Sequence, residues 1–262
     1  MRTRHDSHRV ADDVFLFTGT EVNWAIIQAG TDLTLIDAGW PGDIQEVERS
    51  IRSLGRQPQD LRAVLLTHAH ADHTGALNHL HDSYGVPVYM AEAELPNAIG
   101  DISETGGPLD VAKQLYRPQV VRWATQIVKA GGLEHHVVTS ASAFPNPGPL
   151  DCPGRPLPVP TPGHTTGHTS YLLPDLGVLI SGDALVTAHP TFNGVGPRLL
   201  SSDYTHDQDS AARSLETLHH LDADTLLPGH GPTWYGPLSN AIDQALAHVD
   251  HRKSHKPKGH AQ

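Results

Sequence analysis

Short apolar and β-branched runs open the chain. "VFLFTG", "NWAIIQAG" and "DLTLIDAG" are separated by Gly, Asn and Asp, the punctuation of a strand meander. In "GDIQEVERSIRSLG" the period changes: Ile44, Val47, Ile51 and Leu54 recur at helical spacing, and Gly55 stops the run. "LRAVLLTH" has the composition of a buried strand, "TGALNHLHDSYG" continues as a helix, and "VPVYM" returns as a strand. Strand, loop, helix, strand is an α/β unit whose polar residues gather at the crevice beyond the strand's carboxyl end.

The middle differs. Residues 110–131, "DVAKQLYRPQVVRWATQIVKAG", have a helical pattern broken or kinked near Pro118. Val111, Leu115, Trp123, Ile127 and Val128 mostly share one side, which predicts core packing; a sharper reading is a helical cover over a site, with Tyr116 and Trp123 meeting substrate. "SASAFPNPGPLDCPGRPLPVPTPGH" is dense in Pro and Gly, but strand-like "TSYLLP" and "GVLISGD" follow at once, so it reads as extended segments and turns. "DSAARSLETLHHL" is a helix, "DTLLPGHG" a strand running into a loop, and "LSNAIDQALAHVD" a last helix. Strands followed by a helix thus occur in both halves, which suits two β-rich halves packed face to face with helices outside. The expected organisation is one domain over residues 1–250 and a disordered, basic, His-rich tail over 251–262.

Composition narrows the classes. The 262 residues are 38% hydrophobic, enough for a real core. A net charge of −11 argues against a nucleic-acid partner, which needs a basic footprint. No run has transmembrane length, and Asp12 and Asp13 interrupt any signal-like apolar stretch, so no membrane partner is expected. Cys152 is the single cysteine; no intramolecular disulfide can form, which suits the cytoplasm.

The candidate chemistry is in "LTHAHADH", where three histidines and an aspartate fall within six residues just past an apolar run. In so His-rich a chain such a match arises by chance about once per hundred sequences, so it needs partners elsewhere. Three later stretches supply them: "TPGHTTGH" with His164, "LISGD" with Asp183, and "LLPGHG" with His230, each placing His or Asp in a loop beside a strand. Imidazole and carboxylate are ligands for borderline divalent metals. His68, His70, Asp72, His73, His164, Asp183 and His230 are too many for one ion and suit two that share a bridge. The nearby serines and threonines of "TTGHTS" and "SSD" read as turn and capping residues.

H-x-H-x-D-H, P-G-H-T-T-G-H, S-G-D and P-G-H-G, in this order, resemble the metallo-β-lactamase superfamily, and "DLTLIDAG" with Asp37 is similar to that family's first motif. The likeness runs from about Val14 to Leu246. It implies an α/β fold, an αββα sandwich of two mixed sheets flanked by helices, with the site at one edge of the sheets. It also implies two zinc ions per chain, or iron or manganese in their place: one held by His68, His70 and His164, the other by Asp72, His73 and His230, with Asp183 bridging. Asp37 and His168 would stand behind the ligands and orient them. Asp72 would be the catalytic residue, orienting a hydroxide nucleophile and passing a proton to the leaving group. His79, His81, His135, His136, His219 and His220 have no motif context and read as surface or packing residues.

Asp183, where true β-lactamases carry Cys or no bridging ligand, looks like the glyoxalase II type, which favours a thioester, ester or lactone as the small-molecule acyl substrate. Quorum-quenching lactonases carry Tyr three residues past the bridging Asp; here that residue is Val186, and Tyr204 is the other tyrosine to weigh. The last helix lacks the basic residues with which glyoxalase II holds glutathione. Two other readings of the same motifs are a mononuclear-iron sulfur dioxygenase and a non-catalytic metal-binding protein. The acyl group is expected to meet residues 101–131 and the "TAHPTFNGVGPRLL" loop.

Overall fold

Strands buried on both faces decide the architecture. The computed structural model describes residues 8–104, 106–134 and 136–254. Its first sheet has seven strands in sequence order: β1 (His8–Ala11), β2 (Val14–Thr18), β3 (Asn23–Ala29), β4 (Asp32–Ile36), β5 (Leu61–Leu65), β6 (Val88–Met90) and β7 (Ala141–Ala143). β1 to β4 form the antiparallel meander, and β4 to β7 are parallel. The second sheet holds β8 (Leu157–Pro160), β9 (Thr169–Leu173), β10 (Val178–Gly182), β11 (Thr225–Pro228) and β12 (Trp234–Tyr235), in spatial order β12-β11-β10-β9-β8.

Period-two alternation splits each strand between two apolar layers. Ala25 and Ile27 of β3 and Ile36 of β4 face the second sheet, meeting Tyr171, Leu173, Val178, Ile180 and Leu227. Their neighbours Trp24, Ile26 and Leu35 face outward and pack on Val47 and Ile51 of α1 (Ile44–Ser53) and on Leu77 and Leu80. The last two residues belong to α3 (Leu77–Tyr84), which follows a single turn, α2 (Ala71–Thr74), and ends at Gly85 in the left-handed region at φ 69°. On the far side, Leu172, Leu179 and Leu226 face outward onto Leu215 and Leu218 of α7 (Gln208–Leu218) and Ala241, Ile242 and Ala245 of α8 (Leu238–Ser254). The layers are therefore helix, sheet, sheet, helix, the αββα sandwich expected from the motifs.

Between β6 and β7 lie α4 (Leu95–Ala98), α5 (Pro108–Ala112) and α6 (Pro118–Lys129). The break expected near Pro118 is a true interruption: the proline sits at the first position of α6, where a missing N–H costs nothing. Core packing of this region is corrected. Trp123 is buried, but Leu115 is 44% and Val128 52% exposed, and Tyr116, offered as a substrate contact, is 82% exposed. The pattern marks a side that faces a cavity rather than a core.

The tail boundary is also corrected, because α8 continues through Ser254. No Gly or Pro lies between Leu238 and Lys256, so nothing in the sequence stops the helix at residue 250. Residues 255–262 lie outside the described residues, as does His135. Among the described residues no helix is long and apolar enough to cross a membrane.

Candidate metal centre

The seven histidines and aspartates come from four loops at one edge of the sandwich. Thr67 to His73 follow β5 and include α2; Asp183 follows β10; His230 follows β11; His164 lies in the turn between β8 and β9. The parallel pairings of β4 with β5 and of β10 with β11 bring the ends of these strands together. Asp37, just past β4, adopts φ 61°, and its carboxylate accepts the Thr67 N–H at 2.8 Å and the Thr67 hydroxyl at 2.8 Å.

Hydrogen bonds on the outer ring nitrogens set the tautomers. His73 Nδ1–H donates to Asp37 Oδ2 at 2.9 Å, and His230 Nδ1–H donates to Glu21 O at 2.7 Å. His70 Nε2–H donates to Glu104 O at 3.2 Å. His68 Nδ1 lies 3.0 Å from Thr67 Oγ1, whose own proton goes to Asp37, so the imidazole is the donor. Each bond holds a proton on one nitrogen and turns the other inward, where a cation or a second proton can take it.

Those inward atoms converge. The ligand atoms of His68, His70 and His164 lie within 4.8 Å of one another, as do those of Asp72, His73 and His230. His70 Nδ1 and His164 Nε2 face each other at 3.0 Å. Asp183 touches both groups: Oδ2 is 3.5 Å from His164 Nε2 and 3.2 Å from His230 Nε2, and Oδ1 is 3.5 Å from His73 Nε2. His68 Nε2, His73 Nε2, His164 Nδ1 and Asp183 Oδ1 are buried without a hydrogen-bond partner. Orphaned polar atoms in such density are costly unless something satisfies them. A nitrogen and carboxylate donor set of this kind fits divalent metal cations.

The electrostatics agree. Burial pushes His68 well below the usual imidazole range, reinforced by the neighbouring His73, His70 and His164. Burial also opposes a charge on His73, but Asp37, Asp72 and Asp183 outweigh it and lift the ring to about 9. Asp183 is buried too, yet His230 and His73 hold its carboxyl well below the ordinary range. The same carboxylates that favour protons on His73 and His230 would attract a cation, so metal and proton compete here.

A supporting layer surrounds the ligands. His168 Nε2 accepts the Asp183 N–H at 3.1 Å while its Nδ1–H meets Thr161 Oγ1 at 2.8 Å. The Asn23 amide clamps the His230 loop, donating to Pro228 O at 3.0 Å and Gly231 O at 2.8 Å. Gly229 has no room for a side chain, because a Cβ there would stand 2.2 Å from Asp183 Oδ1.

Sequence reasoning passed over two residues. Glu94, buried beside α4, accepts four hydrogen bonds: from Ala69 N–H at 2.8 Å, Asn97 Nδ2 at 2.9 Å, Thr165 Oγ1 at 2.8 Å and Gly167 N–H at 3.0 Å. It ties the loop of His68 and His70 to that of His164. His189 is buried with its ring centroid 5.0 Å from that of His230. Its Nδ1 lies 2.6 Å from the Thr191 hydroxyl and 3.3 Å from the Thr191 N–H; accepting both places the neutral ring's proton on Nε2, and burial lowers the ring to about 3, so it stays neutral. Neither residue stands in a spaced motif. Each owes its position to chain segments remote in sequence.

Above the ligands opens a cavity of about 560 Å³, floored by His70, Asp72, His164, Asp183 and His230. Val111, Trp123, Ala124, Ile127 and Val128 line it, as do His189, Leu200 and Tyr204, so both segments expected to meet the acyl group border it. Tyr204 packs edge-on to Trp123, with ring centroids 6.0 Å apart. Of the histidines without motif context, His136 borders the cavity, donating to Thr74 O at 3.1 Å, whereas His79 pairs with Glu48 and His219 with Asp243 away from it.

An αββα sandwich with a paired set of metal donors on its edge defines a class, the metal-dependent hydrolases of this architecture. The family model described as the metallo-beta-lactamase superfamily matches residues 17–154 and 153–230, and the chain belongs to that superfamily. It is 34% identical over 233 residues to the uncharacterized protein YobT of Bacillus subtilis, covering 86% of this chain and 89% of that one. It is 31% identical over 194 residues to the probable metallo-hydrolase YqgX of the same organism, covering 73% and 77%. A hydroxyacylglutathione hydrolase of Hahella chejuensis is 27% identical over 206 residues, covering 78% of this chain and 58% of that enzyme. The fold matches a metallo-beta-lactamase family protein from Thermus thermophilus with a TM-score of 0.66 at 24% identity, over 93% and 81% of the two chains.

Proposed function

We propose that the protein is a dinuclear hydrolase of a small-molecule thioester, ester or lactone. Asp183, with one oxygen near His164 and His230 and the other near His73, carries this reading, because it joins two donor groups into one site. His68, His70 and His164 would hold one ion, Asp72, His73 and His230 the other, with Asp183 between them. When bound, two divalent ions lower the pKa of a water and polarise the carbonyl that it attacks. Zinc suits the nitrogen and carboxylate donors, and iron and manganese are the other candidates.

The chain's own residues do the rest. Asp72 lies 3.3 Å from His230 Nε2 and borders the cavity, where its carboxylate orients the nucleophile and carries a proton toward the leaving group. His189 offers an Nε2 proton as a hydrogen-bond donor to the oxygen that gains charge. Asp37 and His168 fix the rings and the peptide that hold the ligands. The acidic chain is read as acting on a small molecule and not on nucleic acid, and its single cysteine suits the cytoplasm.

The experiment is metal analysis of the purified protein followed by a screen of thioesters, aryl esters, lactones and a β-lactam. About two zinc ions per chain and turnover of an acyl substrate are expected. One iron with oxygen consumption on a persulfide would instead establish the sulfur dioxygenase. A full metal complement with no turnover of any carbonyl substrate would leave a non-catalytic binding protein.

A further inference from the structure

The cavity differs sharply between floor and walls. The floor carries Asp72 and Asp183, and Glu134 adds a carboxylate to the wall. Among the described residues that line it, none is Lys or Arg. The guanidinium of Arg117, on the segment entering α6, is engaged by Thr191 O and Asn193 Oδ1. The walls are mostly apolar, with Ile102, Val111, Trp123, Ile127, Leu133 and Leu200, and their polar members beside Glu134 are neutral amide, hydroxyl and imidazole side chains such as Asn97, Ser103 and Tyr204. The apolar character extends to the mouth, where Ile102 is 42%, Val128 52% and Leu133 69% exposed. Apolar side chains left open around a pocket are the mark of a surface that expects an apolar ligand.

We infer that the cavity selects substrates whose non-reacting part is uncharged and apolar, an aryl or medium-chain acyl group, and rejects those with a carboxylate or phosphate beyond the scissile bond. Away from the floor, an anionic group would be desolvated against Trp123 and Ile127 with no Lys or Arg to meet it, and Glu134 would repel it. Thioesters of a tripeptide or nucleotide carrier, which bear such anions, are excluded on the same ground. An apolar chain instead gains with each methylene that leaves water.

This specificity rests on the hydrolase reading for its meaning, but it is tested by binding alone. Octanamide, butanamide and the monoamide of octanedioic acid share the same amide; the second is shorter and the third ends in a carboxylate. Titration of the metal-loaded protein by calorimetry is expected to show octanamide binding at least ten-fold more tightly than either. The half-exposed Val128, a lining residue remote from the ligands, provides the variant: Val128→Arg should narrow the gap between octanamide and the octanedioic monoamide at least five-fold. Equal or tighter binding of the carboxylate probe, no binding of octanamide, or an unchanged gap in Val128→Arg would overturn the inference. If octanamide binds as expected but no octanoyl ester, thioester or lactone is hydrolysed, the cavity assignment stands and the hydrolase reading falls. If acetyl and carboxylated thioesters turn over as fast as octanoyl ones, the hydrolase stands and this specificity falls.

Discussion

At the scale of single residues, the site is a problem in placing protons. Each candidate ligand histidine needs one nitrogen bare, and for three of them the protein achieves this by giving the other an acceptor: Asp37 for His73, Glu21 O for His230, Glu104 O for His70. His189 uses the same device in reverse, since Thr191 N–H occupies its Nδ1 and keeps the proton on Nε2. His189→Ala should therefore lower kcat about 10²-fold while metal content stays at the native count. Because the His189 pKa is about 3, the pH–rate profile above pH 6 should keep its shape in the variant. Loss of metal in His189→Ala, or no change in kcat, would remove the residue from the mechanism.

Two carboxylates act at the scale of elements. Glu94 joins two ligand loops, each of its oxygens accepting from two donors. Glu94→Gln turns an NH₂ group toward two of those donors, which should cost at least about 2 kcal/mol and lower metal content, read by urea unfolding and metal analysis. Far from the site, Glu48 of α1 accepts from Tyr84 OH at 2.6 Å and His79 Nε2 at 2.8 Å, both on α3, and pairs with Arg52 at 2.7 Å. Burial opposes its charge, but these partners hold its pKa at about 2 against an ordinary 4.5. A depressed carboxylate pKa stabilises the fold above pH 4.5, and that contribution disappears as pH falls through about 2. Glu48→Gln should therefore be less stable than wild type by about 1–2 kcal/mol at pH 7, with the difference shrinking below pH 4.5. A difference that is constant with pH would assign the effect to packing instead.

The packing of these elements was largely legible beforehand. Strands such as "NWAIIQAG" alternate between two apolar layers, so their side chains announce burial on both faces. Residues 110–131 misled, because an apolar stripe looks the same whether it faces a core or a cavity. Trp123 is buried and Val128 half exposed on one helix, and only the neighbouring loops decide which is which.

For the whole molecule, the two sheets converge on a cluster of buried histidines and carboxylates that face one another. This is a liability in the metal-free protein, where orphaned nitrogens and like charges share one edge of the sandwich. Metal binding then stabilises the native state and not the unfolded chain. At metal concentrations about a thousand-fold above Kd this is worth about 4 kcal/mol, so chelation should lower Tm by roughly 10 °C, and added zinc should restore it. An unchanged melting curve on chelation would show that the donor set holds no tightly bound ion.

The sequence by itself determined the candidate ligands and most of the strands. H-x-H-x-D-H lies within one loop, and its fixed spacing is local chemistry that a string of residues can display. The three later stretches repeat the same local form, a His or Asp beside a strand and next to glycine. The tertiary structure alone decided which distant atoms support them. Glu94 reaches Thr165 across 71 positions, and His230 finds Glu21 across 209. Such contacts depend on how parallel strands bring loops to one edge, and no periodicity records that. The cavity's apolar walls, and the absence of Lys and Arg among its described lining residues, belong to the same class, because they are properties of a space assembled from separate segments of chain between Trp40 and His230.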